Sequence, residues 1–311
     1  MRICSLVPGA TEVVAALGQA SQLVGISHEC DFPLSIRHAP VLVEPCVETA
    51  NACSATIDRE VRALVSSGRP LYRLNEPAFV ASKPEVILTQ DLCHVCAVTP
   101  DQLTRAVDAL PTPPTWVTLN PTTLEEVISD VERIGVAIDR ASEGKQLATS
   151  LRTRLASVRN GHRAEKPRVA CLEWLSPLYI GGHWVPEMVE LAGGLDVLGQ
   201  AHHPSRPVTW EQVESARPDI VILMPCGFSV ERAWSELAAL QRTDRRWSSA
   251  LASWPLIFVV DAASYFSRPG PRLVDGVELL AAIFANGSAA KLDDRMVRAV
   301  PCASPLSASP L

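Results

Sequence analysis

The chain has 311 residues, of which 47% are hydrophobic and 20% charged, and its formal net charge is −6. This length is enough for two domains that each bury a core. The negative charge and the lack of a basic block argue against a nucleic acid partner. No stretch reaches the ~20 apolar residues of a membrane span, and the first residues lack a secretory pattern. We therefore expect a cytoplasmic protein whose nine cysteines are thiols or ligands, not disulfides.

Short apolar runs alternate with helical patterns in the first part of the chain. A first helix places Val13, Val14 and Leu17 on one face and ends at Gly18. A second helix carries apolar residues at helical spacing and ends at Gly68. Such alternation predicts a parallel, doubly wound sheet. The strands are predicted at Ile3–Leu6, Leu23–Ile26, Val86–Thr89 and Trp116–Leu119.

The middle of the chain is helical in pattern from Leu124 to Val158. A break near Asp139–Gly144 divides this region into two helices, and no strand pattern interrupts it. The second helix is expected to connect two domains, because a helix is a stiffer connector than a glycine or serine linker.

Alternation resumes in the last part of the chain, so two α/β domains are predicted. Strands are expected at Arg168–Leu172, Ile220–Leu223 and Ile257–Val260. Helices are expected at Pro186–Ala192 and from Leu273 to Phe284. The predicted division is an N-terminal α/β lobe at 1–138, a connecting helix at 139–163, a C-terminal α/β lobe at 164–287 and a disordered tail at 288–311.

Chemically distinctive residues collect directly after the predicted strands. In open parallel sheets, ligands bind beyond the carboxyl ends of the strands. If the two sheets face each other, these loops converge on one interdomain cleft. The predicted ligand-binding residues are His28, Glu29, Asp31, Asp91, Glu173, Trp174, His183, Trp184, Glu187, Tyr265, Phe266, Arg268 and Arg272.

Cysteines in the same loops raise the possibility of a metal site. The pair in TQDLCHVCA is weak by itself, since two small buried thiols would give the same pattern. Thiolates together suit zinc or an iron–sulfur cluster. The candidate metal ligands are Cys30, Cys93, Cys96, Cys226 and His28, with His94 and His183 in reserve.

Aromatic and arginine side chains in these loops favour a large planar ligand. The aromatic rings would supply broad apolar faces, although each taken singly also fits a domain core. Arg268 and Arg272 precede a predicted helix, where their charge opposes the helix dipole, so they suit carboxylate or phosphate oxygens. The aromatic candidates are Trp174, Trp184, Tyr265 and Phe266.

Several stretches together resemble the class III substrate-binding proteins of cobalamin and siderophore importers, and the cobalamin-binding branch most closely. The stretches are RICSLVPGATEVVAALG, LVGISHECDFP, GGHWVPEMVELAGG and RPGPRLVDGVELLA, and the likeness covers about residues 1–286. The resemblance implies two Rossmann-like lobes with parallel sheets, joined by a long backbone helix, and a metal chelate held between them. It also implies a protein that binds and delivers its ligand and is not an enzyme.

Three hypotheses follow. The leading one is a non-catalytic binding protein for a corrinoid such as cobalamin, with His28 or His183 as axial ligand and with a transporter or a cobalamin-using protein as partner. The second is a metal or iron–sulfur protein that uses the cysteine cluster. The third is a metal-dependent hydrolase or lyase with Glu173, Glu187 and His183 as acid and base groups.

Overall fold

The structure is a computed structural model that describes residues 1–90, 100–159, 165–286 and 292–301. The chain divides into two compact units, and each is described by itself. Unit 1 comprises Met1–Ala52, Thr56–Arg152 and Pro269–Pro271. Unit 2 comprises Cys53–Ala55, Thr153–Arg268 and the described residues from Arg272 onward.

Unit 1 is built on a sheet whose strand order is β4-β3-β2-β1-β5-β6. The strands are parallel except for β4, which runs antiparallel to β3 at one edge. The strands are β1 (Ile3–Ser5), β2 (Leu23–Ser27), β3 (Val41–Pro45), β4 (Tyr72–Leu74), β5 (Val86–Gln90) and β6 (Thr115–Leu119). The helices are α1 (Pro8–Ala16), α2 (Ser54–Ser66), α3 (Glu76–Ser82), α4 (Pro100–Asp108), α5 (Leu124–Ala137) and α6 (Ala141–Arg159).

The break predicted in the middle region falls between α5 and α6. Thr123 and Glu126 form a capping box that starts α5. The two helices then pass very close to each other, since a Cβ on Gly135 would lie 2.8 Å from the Arg140 carbonyl oxygen. Glycine at this position therefore permits the tight turn. Helix α6 contributes residues up to Arg152 to unit 1 and residues from Thr153 to unit 2.

Two of the stretches that carried the resemblance pack together within unit 1. A Cβ on Gly9, near the start of α1, would lie 2.1 Å from the Pro269 carbonyl oxygen. A Cβ on Gly270 would lie 3.0 Å from the Gly9 Cα. The glycines of SLVPGATE and RPGPR therefore allow the two backbones to touch.

Unit 2 contains a second sheet, with the strand order β10-β8-β7-β11-β12-β13 and with β9 beside β7. Its centre, β7-β11-β12, is parallel, whereas β8, β10 and β13 pair antiparallel. The strands are β7 (Arg168–Leu175), β8 (Leu178–Ile180), β9 (Leu195–Asp196), β10 (Arg206–Pro207), β11 (Ile220–Leu223), β12 (Leu256–Val260) and β13 (Val297–Ala299). The helices are α7 (Val185–Leu191), α8 (Trp210–Ala216), α9 (Val230–Thr243), α10 (Arg245–Ser253), α11 (Ala262–Tyr265) and α12 (Leu273–Asn286).

The α/β class predicted from the alternation is confirmed, and so is the presence of two sheets with parallel strands. Strands β7, β11 and β12 are buried along most of their length, as expected for parallel strands covered on both faces. Among the described residues, no helix is long and apolar enough to cross a membrane.

The predicted disordered tail is wrong for residues 292–301. Strand β13 lies in this segment and pairs with β12, and Val297 is fully buried. One buried side chain and a row of backbone hydrogen bonds hold this short edge strand, and neither leaves a strong pattern in the sequence. The rest of the predicted tail, 288–291 and 302–311, lies outside the described residues.

Candidate functional site

The predicted site residues lie in two groups. His28, Glu29, Cys30 and Asp31 form the turn after β2 in unit 1. Asp91, Cys93, Cys96 and His94 lie outside the described residues. The convergence of all six loops on one cleft stays a prediction. The members of the second group, all in unit 2, are Glu173, Trp174, His183, Trp184, Glu187, Cys226, Tyr265, Phe266, Arg268 and Arg272.

His28 is held by oxygen atoms on both sides of its ring. Its Nδ1 lies 3.1 Å from the Val43 carbonyl oxygen, and its Nε2 lies 3.2 Å from a carboxylate oxygen of Glu29. Its ring also lies 5.7 Å from that of Tyr72, a neighbour on β4 that the sequence did not indicate. Because both nitrogens face acceptors, this geometry favours a role in orienting Glu29 over coordination of a metal.

Cys30 is a buried thiol that fastens its turn to helix α1. Its Sγ lies 3.1 Å from Thr11 Oγ1, which in turn donates to Ser5 Oγ over 2.7 Å. Only 8% of Cys30 is exposed. A buried thiol packed in this hydrogen-bond chain is a structural group, and its sulfur already has a partner.

The proposed metal site finds no support in the part of the chain that the structure describes. Within those residues, no three His, Cys, Asp or Glu side chains are grouped so that they could hold a metal ion. Cys226 is exposed in the turn after β11. The predicted CxxC pair, Cys93 and Cys96, lies in the segment that is not described.

Backbone hydrogen bonds join the loops of unit 2 into one edge. Cys226 N donates to the Glu173 carbonyl oxygen over 2.9 Å, which links the ends of β7 and β11. Ala263 N donates to the Phe228 carbonyl oxygen over 3.0 Å and links the β11 loop to α11. These bonds bring β7 and the loops after β11 and β12 together at one edge of this sheet.

Trp184 and Phe266 were predicted as ligand-facing rings, and this prediction is wrong for both. Trp184 is 4% exposed and Phe266 2% exposed. Trp184 Nε1 donates to the Phe266 carbonyl oxygen over 2.8 Å. Gly182 explains the inward turn, since a Cβ there would lie 2.3 Å from Ser205 N. The loop can press against its neighbour, which places the tryptophan in the core.

Trp174 and Glu173 lie within β7, because the strand continues to Leu175 and folds back as β8. The Trp174 ring packs edge-on against Phe228 at 5.6 Å, and the Arg232 guanidinium covers the Phe228 ring at 3.6 Å. Trp174 is partly exposed and its Nε1 finds no hydrogen-bond partner among the described residues. Because that nitrogen is buried, Trp174 offers a ligand only the exposed part of its ring.

His183 is strained and half-buried at the start of α7, one turn before Glu187. Its φ of 51° lies in the left-handed region, which costs energy for a residue other than glycine. Its backbone N donates to the His203 carbonyl oxygen over 2.6 Å, and its carbonyl oxygen accepts from His202 N over 3.0 Å. Its Nδ1 is buried without a partner among the described residues, and burial lowers the pKa of the imidazole.

The lowered pKa of His183 predicts a pH dependence of stability. The folded protein favours the neutral ring, so the free energy of unfolding should fall as the pH drops below 6.5, the ordinary value, towards the lower folded pKa. His183→Asn should weaken this fall, because asparagine tolerates the positive φ but does not titrate. Urea titrations between about pH 5 and pH 8 measure the effect, with the exposed His38→Asn as control. An equal fall in His183→Asn would contradict the prediction.

Tyr265, Arg268 and Arg272 follow β12 together with Asp261, which was not among the predicted site residues. Asp261 caps α11 by accepting from Ser264 N over 2.9 Å. Burial raises the pKa of Asp261, and its hydrogen bonds with Ser264 and the nearby Arg272 and Arg268 partly offset the rise. The Arg272 guanidinium lies 5.8 Å from the Tyr265 ring centre. Arg268 is only 8% exposed, so Tyr265 and Arg272 are the accessible members.

Comparisons with known proteins bear on this site. No family model matches the chain. The vitamin B12-binding protein of Vibrio cholerae serotype O1 is 25% identical over 285 residues, which cover 89% of this chain and 86% of the relative. A periplasmic heme-binding protein from Pseudomonas aeruginosa superposes with a TM-score of 0.69 at 18% identity and covers 97% of this chain and 99% of its own. The periplasmic vitamin B12-binding protein BtuF of Vibrio cholerae gives a TM-score of 0.57 at 21% identity, covering 91% and 96%.

The chain has the fold of the periplasmic binding proteins reported above, and these relatives are named as binding proteins and not as enzymes. In sequence it is similar to the vitamin B12-binding proteins, so the resemblance read from its motifs is confirmed. The hypothesis of a hydrolase or lyase using Glu173, Glu187 and His183 finds no support from these relatives.

The prediction of a cytoplasmic protein is also wrong. Both solved structures reported above are of proteins named as periplasmic, which contradicts the prediction. The zinc and iron–sulfur alternatives find no support from the relatives either.

Proposed function

We propose that this protein binds a corrinoid such as cobalamin and delivers it to an importer. The observation that carries the proposal is the 25% identity, over 89% of the chain, to a protein named for vitamin B12 binding. Likeness in sequence over most of the length is a better guide to the ligand than likeness in fold, since one fold serves many ligands.

The chemistry of the unit 2 loops supports this proposal. Trp174 and Tyr265 are partly exposed rings at the carboxyl edge of the sheet, and Arg272 lies beside Tyr265. A corrinoid has a broad macrocycle and a rim of amide and phosphate oxygens. The rings suit the macrocycle, and a guanidinium suits the oxygens. In unit 1, Glu29 and the exposed Asp31 are acceptors for amide N–H groups.

His183 is the candidate axial ligand, because both ring nitrogens of His28 already face oxygen atoms. A neutral imidazole has a lone pair available for a metal, and the lowered pKa of His183 keeps the ring neutral at neutral pH. Heme is the second candidate ligand, because a heme-binding protein shares the fold with a TM-score of 0.69.

A calorimetric titration with three ligands tests the proposal. Cyanocobalamin and dicyanocobinamide should each bind with a micromolar or lower Kd, and hemin should bind more weakly. Absorption spectra of the same mixtures should show a shift of the corrin bands. If hemin binds and neither corrinoid does at high micromolar concentration, the corrinoid proposal fails in favour of heme. A ferric hydroxamate added as a fourth ligand covers the remaining chelate class.

A further inference from the structure

The described C-terminal residues 292–301, here called the strap, form the edge of the unit 2 sheet. Strand β13 pairs antiparallel with β12, with Phe258 opposite Ala299 and Val260 opposite Val297. Two further bonds extend the pairing, since Val300 N donates to the Ile257 carbonyl oxygen and Asp261 N donates to the Met296 carbonyl oxygen, both over 2.9 Å.

Side chains also fasten the strap to helix α9. Val297 is fully buried. Arg298 lies 3.4 Å from a carboxylate oxygen of Glu231 and 5.9 Å from the ring centre of Trp234. The exposed ion pair contributes little, so the buried valine and the backbone bonds carry most of the attachment.

The strap contacts the loop after β12, here called the ligand-binding loop, at Asp261. This loop carries Tyr265 and Arg272. The backbone N of this residue donates to Met296 of the strap, and its side chain accepts from Ser264 N to start α11. Helix α11 ends at Tyr265, whose own N donates to the Asp261 carbonyl oxygen over 3.3 Å. The strap therefore reaches the loop that carries Tyr265 through the backbone of Asp261.

We propose that the strap is a positioning element for the ligand-binding loop. It fixes the backbone of Asp261 and, through the cap of α11, the place of Tyr265 beside Arg272. Attachment of the strap and binding of ligand then favour each other, because a ligand that needs the ordered loop also stabilises what orders it. The effect on affinity rests on the proposed function, whereas the effect on loop order does not.

The experiment compares two identical substitutions in the full chain. Val297→Asp places a carboxylate where the valine is fully buried, and Val136→Asp places one on α5 where the valine is 66% exposed. Val297→Asp should speed hydrogen exchange at the Ser264 and Val300 amides and raise the Kd for cyanocobalamin about 10-fold or more. Val136→Asp should leave the two exchange rates and the Kd unchanged. If Val297→Asp does not fold, Val297→Ala gives the same signs with smaller changes.

The two proposals fail in different ways. Unchanged exchange at Ser264 with faster exchange at Val300 overturns the positioning role, because the strap would then detach without loosening the loop. An unchanged Kd with a loosened loop overturns the link to binding. If no corrinoid binds the unaltered protein, the proposed function fails, while the exchange at Ser264 still decides whether the strap positions the loop.

Discussion

Replacing Trp184 by alanine is expected to lower the free energy of unfolding by about 3–5 kcal/mol, the usual cost of removing a large buried aromatic side chain. The ring is 4% exposed, and the indole N–H is bonded to the Phe266 carbonyl oxygen over 2.8 Å. The substitution removes both the apolar contacts and the donor. Urea denaturation of the full chain, followed by tryptophan fluorescence, measures the loss of unfolding free energy.

A second substitution separates the contribution of the Trp184 ring from that of its N–H group. A substitution at another tryptophan serves as the control. Trp184→Phe keeps most of the ring but leaves the carbonyl oxygen without its donor, so a smaller loss of about 1–3 kcal/mol is expected. Trp116→Ala is the control, because this tryptophan is 40% exposed on strand β6 of unit 1 and its removal should cost far less. Weaker ligand binding in Trp184→Ala at unchanged stability would restore this residue to the ligand-facing set.

The fold followed from sequence patterns that depend on local chemistry. Apolar runs of strand length alternate with helical spacing, and only a doubly wound sheet buries both. The break between α5 and α6 could be predicted because the apolar residues at helical spacing are interrupted between Ile138 and Leu147. The strands β3, β4, β8, β9, β10 and β13 were not predicted, since their pairing depends on a neighbour distant in the sequence.

Only part of the candidate site could be predicted from the sequence, and the reason differs from that for the missed strands. The rule about strand ends located the loops of unit 2, but a loop residue's position in sequence does not tell which way its side chain points. Trp184, Phe266 and Arg268 are buried while Trp174, Tyr265 and Arg272 stay partly exposed. The direction of Trp184 depends on the close approach of Gly182 to Ser205, a contact that no local pattern reveals.

Replacing Tyr265 by alanine is expected to weaken corrinoid binding by roughly 10- to 100-fold, which corresponds to about 1.4–2.8 kcal/mol. Loss of one well-placed aromatic contact commonly has an effect of this size at a binding surface. Tyr265 is partly exposed and ends α11, and its ring lies 5.8 Å from the Arg272 guanidinium. The substitution removes the apolar face and also the ring that orients the arginine. Isothermal titration with cyanocobalamin measures the change in Kd.

Tyr265→Phe distinguishes the ring from the hydroxyl. The ring provides both the apolar face and the cation–π contact with Arg272, so the phenylalanine variant should retain most of the affinity. Trp116→Ala is the control, because this ring is 40% exposed on strand β6 of unit 1 and lies outside the loops of unit 2. Equal losses in Tyr265→Ala and Trp116→Ala would mean that the loop after β12 does not hold the ligand. A loss in Tyr265→Phe as large as in Tyr265→Ala would transfer the contact from the ring to the hydroxyl.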